Sequence, residues 1–128
     1  MNKKYTLKVF PAGAGRKVYR VIEMSGGHSL DDLCRIILSS FDFIDEHLYE
    51  FCMDNRMYSD YSYQSAPEGD EPSTGVKLDK LGLMTKQKFS LHYDSGDDWM
   101  FTITVQNITE TAEKTAPKKK KKKGSIEQ

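Results

Sequence analysis

The chain is short of the residues that would staple or anchor it. Among 128 residues there are two cysteines, four prolines and one tryptophan. Two cysteines cannot build a disulfide framework, which excludes a small secreted domain held by bridges. No segment reaches the roughly 20 consecutive apolar residues that a membrane helix needs. Met1-Asn2-Lys3-Lys4-Tyr5 leads directly into a strand-like pattern without an apolar signal core, so a cytoplasmic location away from membranes is expected. Net charge is lacking too, with 19 basic residues matching 19 acidic ones. What remains is ordinary for a globular protein, 38% hydrophobic and 30% charged. The length suits one domain with a single core rather than a large multidomain enzyme.

The charge is unevenly placed. From Thr109 onward there are seven lysines, Lys114 and Lys118 to Lys123, against Glu110, Glu113 and Glu127, a net of +4. The preceding 108 residues carry 12 basic and 16 acidic groups, a net of −4. Such a body does not attract phosphate backbones over its whole surface, so nucleic-acid affinity would come from the basic run or from a local patch. After Ile108 the chain is rich in Thr, Glu, Lys and Pro and cannot bury enough apolar area to offset its ordering entropy. Residues 1–108 are therefore expected to form a single domain and 109–128 a disordered Lys-rich tail.

Period-2 alternation marks strands and a 3.6-residue period marks a helix. Tyr5, Leu7 and Val9 alternate with Thr6, Lys8 and Phe10, and Pro11-Ala12-Gly13-Ala14-Gly15 turns the chain into a second strand over Arg16 to Met24. Ser29 is a good helix N-cap, and Asp31 and Asp32 suit the positive end of the helix dipole. Leu30, Leu33, Cys34, Ile37 and Phe41 then make one apolar stripe. A third strand spans His47 to Met53, and Ser59 to Gly75 reads as a long polar loop. Lys88 to Tyr93 turns through Asp94-Ser95-Gly96-Asp97 into the cleanest alternation of the chain, Trp99 to Gln106. The order β-β-α-β-loop-β-β predicts an α+β domain of two layers. A mostly antiparallel sheet of about five strands would pack on one main helix, in a β-grasp-like or roll-like arrangement.

Several pieces of the chain carry a family resemblance. They are Lys17-Val18-Tyr19-Arg20-Val21-Ile22, Ser29-Leu30-Asp31-Asp32-Leu33, and Phe43-Ile44-Asp45-Glu46-His47-Leu48-Tyr49-Glu50-Phe51. Tyr58 follows, and then Phe89 to Tyr93 with Asp94-Ser95-Gly96-Asp97-Asp98-Trp99. In this order and spacing the chain resembles the plasmid ORF-3-like family, whose members are also labelled insertion-sequence passenger proteins. The resemblance covers roughly Tyr5 to Ile108. It implies an α+β fold and a bacterial or archaeal cytoplasmic setting, and no established activity. Tyr19 stands where the family usually has Trp, and Ser95 where it usually has Phe.

Carboxylates cluster at one hairpin, as Asp94, Asp97 and Asp98. Crowded carboxylates repel unless a cation or backbone donors offset them. A hard cation would suit them, with a nitrogen added by His47. Turn chemistry also accounts for them, with Asp94 and Asp97 bonding to the turn backbone. His47 and Glu50 lie three apart on a strand and point to opposite faces. Tyr93 and Trp99 suit either an aromatic ligand surface or the core, and core packing is the simpler account. Cys34 and Cys52 fall on apolar-patterned elements and are expected to be buried. Lys118, Lys119, Lys120, Lys121, Lys122 and Lys123 form a run with no interleaved aromatics, suited to weak, non-specific contact with nucleic acid.

No nucleophile set, strong metal spacing or cofactor loop stands out, so no catalytic residue, metal or cofactor is assigned. The reading is a non-catalytic binding or interaction module with a protein or nucleic-acid partner. The alternative is a metal-dependent hydrolase or nuclease using the Asp94/Asp97/Asp98 turn with His47. The candidate functional surface is His47, Glu50, Tyr58, Tyr93, Asp94, Asp97, Asp98 and Trp99.

Overall fold

Ser29 opens the single α-helix of the computed structural model, which describes residues 2–126. Its hydroxyl accepts from the Asp32 amide at 3.1 Å, and the Asp32 carboxylate accepts from the Ser29 amide at 3.0 Å. This reciprocal box satisfies two of the open donors of the first turn. The helix, α1, spans Leu30–Ser40. At its other end Arg20 Nε donates to the Ser40 carbonyl at 2.7 Å, with the guanidinium 4.3 Å from the Phe41 ring centroid. A cation at the negative end of the helix is well placed, and Arg20 is only 2% exposed.

The strands are β1 (Asn2–Pro11), β2 (Tyr19–Ser25), β3 (Tyr49–Cys52), β4 (Ser62–Gln64), β5 (Lys88–Tyr93), β6 (Trp99–Thr111) and β7 (Lys118–Lys123). A 3-10 turn over Leu78–Lys80 precedes β5. All seven strands join one antiparallel sheet in the order β4-β3-β5-β6-β1-β2-β7. The alternation read in the sequence decides which face is which. Tyr5, Leu7, Val9, Ile22, Met24, Phe51, Phe89, Leu91, Phe101, Ile103 and Val105 share one buried core with Leu30, Leu33, Cys34 and Ile37 of α1. The other face carries Lys8, Tyr19, Glu50, His92 and Thr104 on the intervening positions. No helix among the described residues is long and apolar enough to cross a membrane.

The expectation of a two-layer α+β domain with about five strands is overturned. The described residues are mostly sheet, 42% strand and 11% helical, with seven strands and a single helix among them. Two strands escaped the sequence reading. The first, β4, sits inside the stretch read as a loop, where Glu50, Phe51 and Cys52 pair with Gln64, Tyr63 and Ser62. Three residues are too few to show a period. The second, β7, lies in the segment expected to be disordered, and β6 itself runs past Ile108 to Thr111. Glu127 and Gln128, the end of that segment, and Met1 lie outside the described residues.

What orders β7 is backbone pairing and charge rather than apolar burial. It pairs with β2 from Tyr19↔Lys123 to Glu23↔Lys118, with a bulge at Lys120. Glu23 is 5% exposed, and its carboxylate lies 3.4 Å from Lys4 Nζ, 3.4 Å from Lys120 Nζ and 3.9 Å from Lys118 Nζ. Burial pushes the Glu23 carboxyl up, and Lys4 and Lys120 outweigh it and hold the group below its ordinary range. Arg20 Nη1 donates to the Lys123 carbonyl at 3.1 Å. Gly124 then turns away with φ +70°, and a β-carbon there would sit 2.5 Å from the Lys17 carbonyl oxygen. Only glycine takes that φ at no steric cost.

Candidate functional site

Glu50 of β3 and His92 of β5 are direct cross-strand partners on the face opposite α1. His92 Nδ1 lies 2.7 Å from Glu50 Oε2, and His92 Nε2 lies 2.7 Å from Asp98 Oδ1. The imidazole is therefore held at both nitrogens by carboxylates, and it is 3% exposed. A doubly protonated ring donates to both partners, whereas a neutral ring has one donor for two carboxylates.

Local backbone chemistry delivers the other members. Asp94 starts the β5–β6 turn at φ +61°, where its Oδ1 accepts from the Gly96 amide at 3.1 Å and its carbonyl accepts from the Asp97 amide at 3.1 Å. The turn ends with Asp98 at φ +51°, which swings that carboxylate back over His92. Aspartate is among the few side chains that tolerate this region. Tyr58, also left-handed at φ +57°, stands edge-on to His92 with centroids 4.9 Å apart. Its hydroxyl donates to Asp98 Oδ1 at 3.1 Å and its amide to Glu50 Oε2 at 3.3 Å. Gln64 of β4 donates from Nε2 to Glu50 Oε1 at 2.9 Å.

The electrostatics follow from these bonds. Burial pushes the Glu50 carboxyl up, but donors from His92, Gln64 and the Tyr58 amide outweigh it and leave the group below its ordinary range. The hydrogen bond from His92 lowers the Asp98 carboxyl, with Tyr58 adding to it. The bond to Asp98 raises the Tyr58 phenol. Above this network opens a cleft of about 570 Å³ lined by Leu48, Tyr58, Asp60, Gln64, Glu71 and His92, among others. The lining includes Glu50, Asp60 and Glu71 but no lysine or arginine.

The candidate residues divide between two faces. Glu50 and Tyr58 line this cleft, and Asp98 joins them through its bonds to His92 and Tyr58. Tyr93 and Trp99 lie on the helix side instead. Tyr93 is 2% exposed, donates its hydroxyl to the Ile44 carbonyl and accepts from the Glu46 amide at 3.1 Å. Trp99 packs edge-on against Phe43 at 4.9 Å. His47 lies 3.6 Å from Asp94 Oδ2 and 3.7 Å from Glu46 Oε1, and Asp97 stays exposed in the turn. The structure thus does not gather Asp94, Asp97, Asp98 and His47 at one point. Among the described residues no three His, Cys, Asp or Glu groups are placed to hold a common ion. Lys118 to Lys123 lie on β7, at the far edge of the sheet from the cleft.

Sequence reasoning missed His92, the centre of the network. Its neighbours Leu91 and Tyr93 carry the core pattern of β5, and attention to that face passes over the residue between them. The available signal was its polar-face position in a strand neighbouring the one that holds Glu50. Cys34 and Cys52 are buried, unbridged thiols. Burial pushes the Cys52 thiol up to about 11, with the Glu50 charge adding to it, which disfavours the nucleophilic thiolate.

A one-helix, seven-stranded sheet domain with a carboxylate–imidazole–carboxylate network is the class these features define. The chain belongs to the plasmid pRiA4b ORF-3-like protein family, which it matches over residues 3–125. It is similar to a solved structure of a protein of unknown function, MM3350 from Methanosarcina mazei Go1. That likeness has a TM-score of 0.75 and 22% identity over 95% of this chain and 70% of the other, and it concerns the fold alone. No curated protein matches the chain.

Proposed function

We propose that the protein is a non-catalytic binding module whose ligand site is the Glu50–His92–Asp98 cleft, and that its ligand is a positively charged segment of a protein partner. The observation that carries this reading is the engagement of both His92 nitrogens by carboxylates at the floor of the cleft. Each His92 nitrogen already faces a carboxylate, so neither is open to a substrate atom. The serines nearby act as acceptors, Ser62 from Gln64 Nε2 at 2.9 Å and Ser59 from the Tyr61 amide at 2.8 Å. Glu50, Asp60 and Glu71 line the cleft, Asp98 stands behind His92, and no lysine or arginine offsets them, so the cleft attracts positive charge. Leu48 and Tyr58, 69% and 65% exposed, give its rim the apolar and aromatic surface that partners bury. Tyr58, 65% exposed, also offers a ring face to an ammonium or guanidinium group.

Calorimetric titration tests the reading with short amidated peptides of arginine, lysine or glutamate at low salt. The cationic peptides are expected to bind saturably and the glutamate peptide not at all. Asp98→Asn combined with Glu71→Gln should weaken binding by at least tenfold. Absence of binding, or indifference to that double substitution, overturns the proposal.

A further inference from the structure

The same sheet face that is acidic over β3 and β5 is basic at its other end. Lys8 of β1 is the centre of that region, with its Nζ 4.7 Å from the Tyr19 ring centroid and 5.6 Å from that of Phe10. Lys121 Nζ approaches the Tyr19 ring from the β7 side at 6.0 Å. Two grooves meet at Lys8. One, of about 870 Å³, runs beneath the β1–β2 turn past Arg16, Lys17 and Lys88. The other, of about 430 Å³, runs past Tyr19, Gln106, Lys120 and Lys121. Together their linings hold six cations, Lys8, Arg16, Lys17, Lys88, Lys120 and Lys121, and no carboxylate.

We propose that this helix-free face, from β5 across β6, β1 and β2 to β7, is a binding site for single-stranded nucleic acid, with phosphates along Lys88, Lys8 and Lys121 and a base against Tyr19. Three features of the face support this site. The cations are on strands and a short turn, so their stems are positioned before binding rather than drawn from a flexible arm. Glu23, the carboxylate beneath β7, is already engaged by Lys4, Lys118 and Lys120; Lys8, Lys88 and Lys121 carry no ion pair among the described residues, and Lys8 and Lys121 would turn from the Tyr19 ring to phosphates as a base takes their place. Aromatic rings among the cations distinguish the face from a merely repulsive lysine edge, since base stacking on an aromatic ring is tolerant of sequence. Thr6, Thr104 and Gln106 add neutral polar groups between the cations. Five neighbouring strands span about 19 Å at roughly 4.8 Å each, room for a few nucleotides. Duplex DNA is disfavoured because its bases present no open face to Tyr19.

The test is fluorescence anisotropy of a labelled 12-nucleotide oligothymidylate with the full chain over a range of salt. Three or four phosphate contacts give a slope of about −2 to −3 in log K against log salt for a single strand. Lys8→Gln with Lys121→Gln is expected to weaken binding at least tenfold. Lys80→Gln with Lys114→Gln removes the same charge from exposed positions elsewhere and is expected to change it less than twofold. Tyr19→Leu, which keeps an apolar side chain on β2, should weaken binding about fivefold or more, in line with the loss of one stacked base. Circular dichroism of each variant verifies folding. Absence of binding at 20 mM salt overturns the proposal. So does an equal loss from both lysine pairs, an unchanged affinity in Tyr19→Leu, or equal affinity for a duplex or for inorganic polyphosphate, each of which makes the face an unspecific cation patch.

Discussion

Glu50 Oε2 and His92 Nδ1 lie 2.7 Å apart across β3 and β5, and both side chains are buried. Their pairing fastens β3, next to the sheet edge, to β5. It also places two ionisable groups where water cannot easily replace a lost partner.

Removal of one member should therefore cost more than an exposed ion pair would. His92→Ala leaves the Glu50 carboxylate buried beside an empty space and is expected to destabilise the fold by about 3 kcal/mol. In a double-mutant cycle with Glu50→Gln, measured by urea unfolding, the two substitutions should be strongly non-additive. Additive effects would show that the pair is not coupled.

The pH dependence follows from the same contacts. Glu50 is held below its ordinary 4.5 and Asp98 below its ordinary 3.8. A carboxyl with a lowered folded-state pKa stabilises above its unfolded value, and that contribution is lost as pH falls through the folded value. Stability differences between the wild type and Glu50→Gln should thus be largest near neutrality and shrink below about pH 4.5. A difference that stays constant from pH 7 to pH 3 would contradict the network.

Leu33 of α1 is fully buried in the core. Leu33→Ala should cost about 2 to 5 kcal/mol in urea or thermal unfolding. A cost under about 1 kcal/mol would remove the helix from the core as described.

The sequence displayed those parts of the fold whose side chains obey a period. Leu7, Ile22, Phe51, Leu91 and Phe101 sit on period-2 stripes, and the Ser29 capping box precedes a stripe that includes Leu33 and Ile37, so five strands and the helix are readable. Six identical lysines have no period, and an edge strand can be held by backbone bonds, Glu23 and Arg20 without burying any apolar side chain. Ser62-Tyr63-Gln64 reads as loop because three residues are too few to show a period. In the site, Glu50 is singled out by its spacing from His47, Tyr58 by the family resemblance and Asp98 by the cluster of hairpin carboxylates. Their convergence on His92 depends on the β3–β5 register and on two left-handed residues, neither of which a local pattern encodes.

Ordering of β7 can be checked directly. Backbone amides that pair with β2 between Lys118 and Lys123 should exchange with deuterium measurably more slowly than an unstructured chain, and Glu23→Gln should speed that exchange. Exchange at unstructured rates in the wild type would restore a disordered tail.

The most direct test of the binding role is an amide chemical-shift map of the 15N-labelled protein titrated with an arginine-rich peptide. The account predicts saturable shifts centred on Tyr58, Gln64, His92 and Asp98, little change at Leu33 or Ile37 of α1, and their disappearance in the Asp98→Asn, Glu71→Gln variant. Shifts centred elsewhere, or a map unaltered by that variant, would contradict it.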